Sequence, residues 1–212
     1  MTNRVSFLID GFNLYHSICD AIRDRKKPTG KWLNIYSLCK NYLYLFGKEA
    51  VMQDVYYFSA LATHTSNQKA PIRQQAFIEA IESTGVKVIL GKFKKKLVIC
   101  KAGCGKSGWG YEEKETDVNI AIALFEQLMT NSSDTAVIIS GDTDLATAVR
   151  AAKRLFPQKR IAVGFPYRRA NKELRQIADY SFKIDDRYYE KFVFPDVIEL
   201  PNGKKISKPN GW

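Results

Sequence analysis

A chain of 212 residues is long enough to bury one sizeable core, and 45% hydrophobic with 26% charged content excludes a disordered or fibrous polypeptide. No apolar run reaches transmembrane length, and Met1-Thr2-Asn3-Arg4 leads straight into a strand without a signal peptide's apolar core, so a cytoplasmic setting without membrane contact is expected. The formal net charge of +11, from 33 Lys+Arg against 22 Asp+Glu, points to a phosphate-rich partner.

Residues 4–9 read as a buried strand, closed by Asp10 and followed at once by Gly11 and Asn13. Leu14, Ile18, Ala21 and Ile22 then recur at helical spacing until Lys26-Lys27-Pro28-Thr29-Gly30 breaks the pattern. Asn34 is placed to cap a second helix carrying Leu38, Tyr42, Leu45 and Phe46 and ended by Gly47. Val55–Phe58 is a strand by composition. Ile72, Ala76, Ile78 and Ile81 predict a helix stopping at Gly85, and Val86–Leu90 is again a strand.

An irregular basic excursion is expected over about residues 91–111. The next helix, 116–130, has Val118, Ile122, Phe125 and Met129 along one side. Strand 135–140, helix 143–156, strand 160–164 and helix 171–179 complete a repeated β-then-α order. Such alternation predicts parallel strands with helices on both faces, because each crossover needs a helix to return the chain. Ligands of such sheets bind outside the carboxyl ends of the strands, where Asp10 and Asp142 both fall. After Lys183-Ile184 a Pro/Gly/Lys-rich tail runs to Trp212. An extended arm, a substrate contact and disorder are all open to it.

Asp or Asn at a helix start is commonly a cap. Here two apolar strands end in acidic, glycine-containing turns, at Asp10 and at Ser140-Gly141-Asp142-Thr143-Asp144, and Asp117 opens an apolar helix. Carboxylates gathered on one sheet edge repel one another unless a cation or protons relieve the charge. Hard divalent cations take oxygen ligands. In so basic a chain, the simplest reading is a metal-dependent enzyme acting on a polyanion. The bases flank the acids: Lys92, Lys94, Lys95, Lys96, Lys101 and Lys106 carry no acid among them, and from Arg150 to Arg175 the bases stand against Glu173 alone. That is how a phosphate track beside a metal site would be coded.

Other chemistries fit less well. Neither His16 nor His64 lies in an acidic motif, which disfavours a histidine acid/base pair. Four cysteines, Cys19, Cys39, Cys100 and Cys104, show no disulfide framework, and Cys100 and Cys104 lack a second ligand pair for a structural zinc. Gly105-Lys106-Ser107 ends like a phosphate-binding loop, but Cys100 stands where that motif needs glycine. A dehalogenase-type phosphatase would need an acid where Phe12 stands. Trp109 and Tyr111 read either as base-stacking rings or as core aromatics.

Phe7-Leu8-Ile9-Asp10-Gly11-Phe12-Asn13, Glu113-Lys114-Glu115-Thr116-Asp117-Val118-Asn119 and Ile139-Ser140-Gly141-Asp142-Thr143-Asp144-Leu145 resemble the three acidic motifs of NYN domains, a branch of the PIN-like nuclease superfamily. Order and spacing match over about residues 4–184, and the stretch from Arg168 to Arg175 is similar to a basic segment of that family. The resemblance implies a three-layer α/β/α sandwich with a mainly parallel central sheet, formed by residues 1–184 with 185–212 as a C-terminal extension. It implies Mg²⁺- or Mn²⁺-dependent cleavage of RNA.

Carried onto this chain, Asp10, Asp117, Asp142 and Asp144 would bind the metal, and Asn13 would orient a water or phosphate. Ser140 and Thr143 would hydrogen-bond the ligating carboxylates or merely serve the turn. Lys94, Lys95, Lys96, Arg168, Arg169, Lys172 and Arg175 would hold nucleic acid. Glu115 departs from the family's usual neutral residue and reads as a surface charge or a spare acid. A non-catalytic RNA-binding or regulatory module and a metal-dependent DNA nuclease stand as alternatives. The sequence leaves open endo- or exonuclease action, one or two metals, and self-association.

Overall fold

The computed structural model describes residues 2–26, 30–63, 67, 69–99 and 107–212. The expectations for His64, Cys100, Cys104, Lys101 and Lys106 lie outside them. Strand β1 (Asn3–Asp10) is buried from Val5 onward on both faces, as a central strand of a covered parallel sheet must be. Val5, Phe7 and Ile9 point into one core and Leu8 into the other, following the two-residue repeat of a strand.

Strand β2 (Ala50–Ala60) pairs parallel to β1 on one side, with a register irregularity between Val5 and Phe7. Strand β3 (Lys87–Ile99) follows β2, again parallel, through Gly91. Beyond Gly91, β3 leaves the main ladder and pairs antiparallel with β4 (Ser107–Lys114). The expected irregular excursion is therefore a regular two-stranded ribbon in its described part. Strands β5 (Thr135–Ile139), β6 (Arg160–Phe165) and β7 (Tyr180–Lys183) extend the other side of β1 in parallel. The seven-stranded order is β4-β3-β2-β1-β5-β6-β7.

Helices α1 (Gly11–Arg25), α2 (Ile35–Tyr42) and α3 (Lys69–Glu82) cover one face, and α4 (Thr116–Met129), α5 (Ala146–Leu155) and α6 (Lys172–Ile177) the other. The α/β/α sandwich with a mainly parallel sheet is thus the fold observed. Asn34 caps α2, accepting from the Ser37 amide at 2.9 Å. Among the described residues no helix is long and apolar enough to cross a membrane.

One helical face differs from the sequence expectation. Val118, Ile122 and Met129 of α4 are exposed and Phe125 is half-buried against the second core, while Ile120, Ala123, Leu124 and Leu128 are buried. Gln127 shares that inner face. Its Oε1 accepts from the hydroxyls of Ser6 and Ser133 at 3.1 and 2.9 Å, and its Nε2 donates to Tyr56 at 2.8 Å. A satisfied amide can be buried where an unsatisfied one cannot.

The segment after Ile184 packs on the first core. Tyr189 of a short helix α7 (Tyr188–Lys191), Phe194, and Ile206 of the β8–β9 hairpin (Val197–Glu199, Lys205–Ser207) are buried against it. Trp32, fully buried, donates its indole N–H to the Pro195 carbonyl at 2.9 Å.

Candidate metal centre

Chain order places the site. From β1 the sheet grows one way through β2 and β3 and the other way through β5, β6 and β7, so the order reverses between β1 and β5. Open α/β sheets bind ligands at that reversal, outside the carboxyl ends of the strands. Asp10 ends β1, and Asp142 lies three residues past the end of β5. Asp117, in the first turn of α4, faces the same gap, and one carboxylate oxygen from each of Asp10, Asp117 and Asp142 lies within 4.8 Å of the others.

Capping and clustering are combined in these residues. Asp10 Oδ1 accepts from the Asn13 amide at 2.9 Å and so caps α1, while Oδ2 accepts from the Ser140 hydroxyl at 2.8 Å. Ser140 Oγ in turn accepts from the Asp142 amide at 3.0 Å. Asp142 Oδ1 accepts from the Asp144 amide at 3.1 Å at the head of a 3-10 turn, Thr143–Leu145. A carboxylate oxygen that accepts one such bond keeps a lone pair for another partner. Two glycines make the approach possible. A Cβ on Gly11 would lie 2.5 Å from the Tyr57 ring, and one on Gly141 would lie 1.8 Å from the Arg169 carbonyl oxygen.

The cleft around these acids is lined by Asp144, Glu112, Glu113 and Glu115 as well, with His16, Lys114 and Arg169 as the basic groups. Burial first, and then the charges of Asp142, Asp10 and Asp144, push the Asp117 carboxyl up to about 6. Burial, opposed by a hydrogen bond from Thr116 and reinforced by Asp10 and Asp117, carries Glu113 to about 7. Asp10 is raised too, chiefly by burial, against the bonds from Asn13 and Ser140. Three carboxyls that resist ionising together suit a site where a cation would relieve them.

Asp144 lines the cleft but is exposed and stands outside the three-oxygen group. Asn13 also lines the cleft, yet its Oδ1 accepts from the Gly141 amide at 3.1 Å, which ties α1 to the turn after β5. Thr143 is exposed; the bond to Asp10 comes from Ser140. Glu115 takes a left-handed backbone (φ 82°) before α4 and pairs with Lys92 at 2.6 Å.

The lysines of β3 do not form an unopposed basic track, because β4 returns acids beside them. Lys96 pairs with Glu112 at 3.0 Å, and Lys94 stands opposite Glu112 in the register. Lys95 sits 4.4 Å over the Trp109 ring, and both Trp109 and Tyr111 are exposed on the ribbon rather than in the core. Arg168 and Arg169 pair with Asp24 at 3.0 Å and Asp20 at 2.6 Å, while Lys172 and Arg175 are exposed on α6.

The sequence assigned no site role to three residues that line the cleft, Glu113, His16 and Phe12. Glu113 stands opposite Phe93 in the β3–β4 register, a long-range pairing that local patterns do not carry. For His16, its spacing of three residues after Asn13 on α1 was the available signal.

A family model described as NYN domain matches residues 4–185. A curated relative, 6-hydroxy-3-succinoylpyridine 3-monooxygenase HspA of Pseudomonas putida (strain DSM 28022 / S16), is 34% identical over 109 residues, which are 49% of this chain and 34% of that protein. The chain thus spans about a third of that relative's length. A solved structure, of a protein of unknown function from Vibrio parahaemolyticus RIMD 2210633, shares the fold at 21% identity with a TM-score of 0.57, covering 91% of this chain and 97% of that one.

Proposed function

Since this chain belongs to the NYN domain family, a PIN-like nuclease family, we propose that it is a ribonuclease dependent on Mg²⁺ or Mn²⁺. The observation that carries the reading is the convergence of Asp10, Asp117 and Asp142 oxygens within 4.8 Å from three separate elements. The donor set fits a hard divalent cation, being all carboxylate oxygen. Such a cation, when bound, would make a water nucleophilic near neutral pH and offset charge on the phosphoryl oxygens.

The chain's own residues do the positioning. Ser140 holds Asp10 and the Asp142 amide in one arrangement, and Asn13 locks the two strand ends together. Outer partners of this kind orient ligating carboxylates. Asp144 and Glu113 line the cleft where they would hold further waters. Arg169 and Lys114 line the cleft and would meet a phosphate there, while Lys94, Lys95, Lys172 and Arg175 would carry the flanking strand. No protein nucleophile is needed.

RNA is preferred as the substrate, with DNA the alternative. A binder without catalysis is disfavoured, since phosphate recognition gains nothing from clustered negative charge. The monooxygenase activity in the name of the Pseudomonas relative is that protein's, and the matched stretch covers 34% of it. The acid cluster has a direct use in phosphodiester hydrolysis.

The test is an assay of purified protein on single-stranded RNA, single-stranded DNA and duplex. Cleavage of RNA is expected with Mn²⁺ or Mg²⁺, none in EDTA, and none by Asp142→Asn. Full cleavage in EDTA would reject the metal mechanism, and RNA binding without cleavage would favour the regulatory module.

A further inference from the structure

Phe12 has two sides. One lines the acidic cleft and the other lines a separate cavity between α1, β2, α3 and the C-terminal residue. Tyr15, Tyr57, Phe77 and Trp212 bring rings to that cavity, with Phe77 and Trp212 centroids 5.5 Å apart and Tyr15 and Trp212 6.5 Å apart. Tyr15 is 37% exposed and stands at the mouth of the cavity, while the buried Tyr57 and Phe77 form its inner wall. The cavity measures about 140 Å³. An apolar cavity of roughly 150 Å³ admits benzene, so one planar ring fits here.

The lining also holds Lys31 and Arg73, and Lys31 Nζ sits 5.9 Å from the centroid of the Tyr15 ring. Gln74 does not serve as a reader: its Nε2 donates to the Ala60 carbonyl and Ser59, and its Oε1 accepts from the Ala62 amide at 2.9 Å. The arrangement is a ring slot with positive charge in its lining, one residue away from a carboxylate of the acid cluster.

From this juxtaposition we infer that the cavity receives one nucleobase of a strand whose phosphate lies at the acid cluster, an inference that rests on the nucleic-acid reading above. Asp10, Gly11 and Phe12 are consecutive: the first belongs to the acid cluster, the second lines the ring cavity and the third divides the two. A base stacks on aromatic walls through its π face. Lys31 and Arg73 then meet the phosphate of the neighbouring nucleotide. An isolated aromatic acid would use the slot and leave the acidic cleft unengaged, whereas a nucleotide strand spans both.

The test is calorimetric titration of the full chain in Mg²⁺ buffer with uridine 5′-monophosphate, ribose 5-phosphate and benzoate. The variants are Ala70→Phe, which fills the slot from α3, and Trp212→Ala, which removes one wall. Neither residue belongs to the acid cluster, and far-ultraviolet circular dichroism checks that each variant folds. Uridine monophosphate is expected to bind at least tenfold more tightly than either other probe, with that advantage abolished in Ala70→Phe and reduced in Trp212→Ala. Equal binding of uridine monophosphate and ribose 5-phosphate, benzoate binding as tightly as the nucleotide, or an advantage unchanged in both variants would overturn the inference. RNA cleavage is read separately. Base-dependent binding without cleavage sinks the nuclease reading and keeps the slot, while cleavage without base-dependent binding does the reverse.

Discussion

The Ser140 hydroxyl donates to Asp10 Oδ2 at 2.8 Å across 130 residues of sequence, latching the end of β5 to the end of β1. Both groups are buried, and the same hydroxyl accepts from the Asp142 amide. Ser140→Ala therefore frees the Asp10 carboxylate and leaves the Asp142 amide without its acceptor. The expected result is a 10- to 100-fold loss of cleavage rate and about 1 kcal/mol of stability, read by single-turnover kinetics and urea unfolding. An unchanged rate would show that the latch does not position Asp10.

The raised Asp117 carboxyl has a consequence for the metal-free chain. Its folded value, about 6, lies above the ordinary 3.8. Between those values the folded state holds more protons than the unfolded one, so stability falls as pH rises through this window and stays lower above it. Asp117 is half exposed, which reduces its contribution to on the order of 1 kcal/mol. In EDTA, Asp117→Asn should melt at a higher temperature than wild type at about pH 7.5 and with less advantage at about pH 5. Scanning calorimetry at the two pH values checks this, and a variant less stable at the higher pH would refute it.

Gly141 packs against the Arg169 carbonyl so closely that a Cβ has no room. Gly141→Ala should force the residues 166–171 away from the turn and lower stability by roughly 1–3 kcal/mol. A chemical denaturation midpoint at the wild-type value would mean that this approach is not held in solution.

The extension over residues 185–212 contributes buried side chains to the first core of residues 1–184. Tyr189, Phe194 and Ile206 cover Trp32 and its neighbours, and Tyr189 exchanges a hydrogen bond with Ser17 at 2.9 Å. A chain cut after Ile184 loses the burial of those three large side chains, each contributing about 1.5–3 kcal/mol. Such a chain should be largely unfolded by near-ultraviolet circular dichroism. A cooperative melt like that of the full chain would restore the tail as an appendage.

The core of the parallel sheet was legible because β1, β5 and β6 are short apolar runs separated by helical periods, whereas β4 and β7, Ser107–Lys114 and Tyr180–Lys183, carry no such run. Asp10 and Asp142 were legible for the same reason, each following such a run. Other features depend on partners far away in sequence. Gln127 sits on the buried face of α4 because Ser6, Ser133 and Tyr56 satisfy it, and the apolar side chains along one side of that helix do not reveal this. Glu113 enters the cleft through the register of β4 on β3, and the same register sets Glu112 beside the lysines that looked unopposed. The tail has no period at all, and its aromatic residues are placed by Trp32 and the first core.

The acid cluster itself is tested most directly by calorimetric titration of Mn²⁺ into the metal-free chain at about pH 6, in two buffers of different ionisation enthalpy, beside Asp142→Asn. Saturable binding to the wild type, with proton release from the raised Asp117 and Glu113 carboxyls and loss of binding in the variant, is the predicted result. No saturable binding, or binding that Asp142→Asn leaves unchanged, would contradict a cation held by Asp10, Asp117 and Asp142.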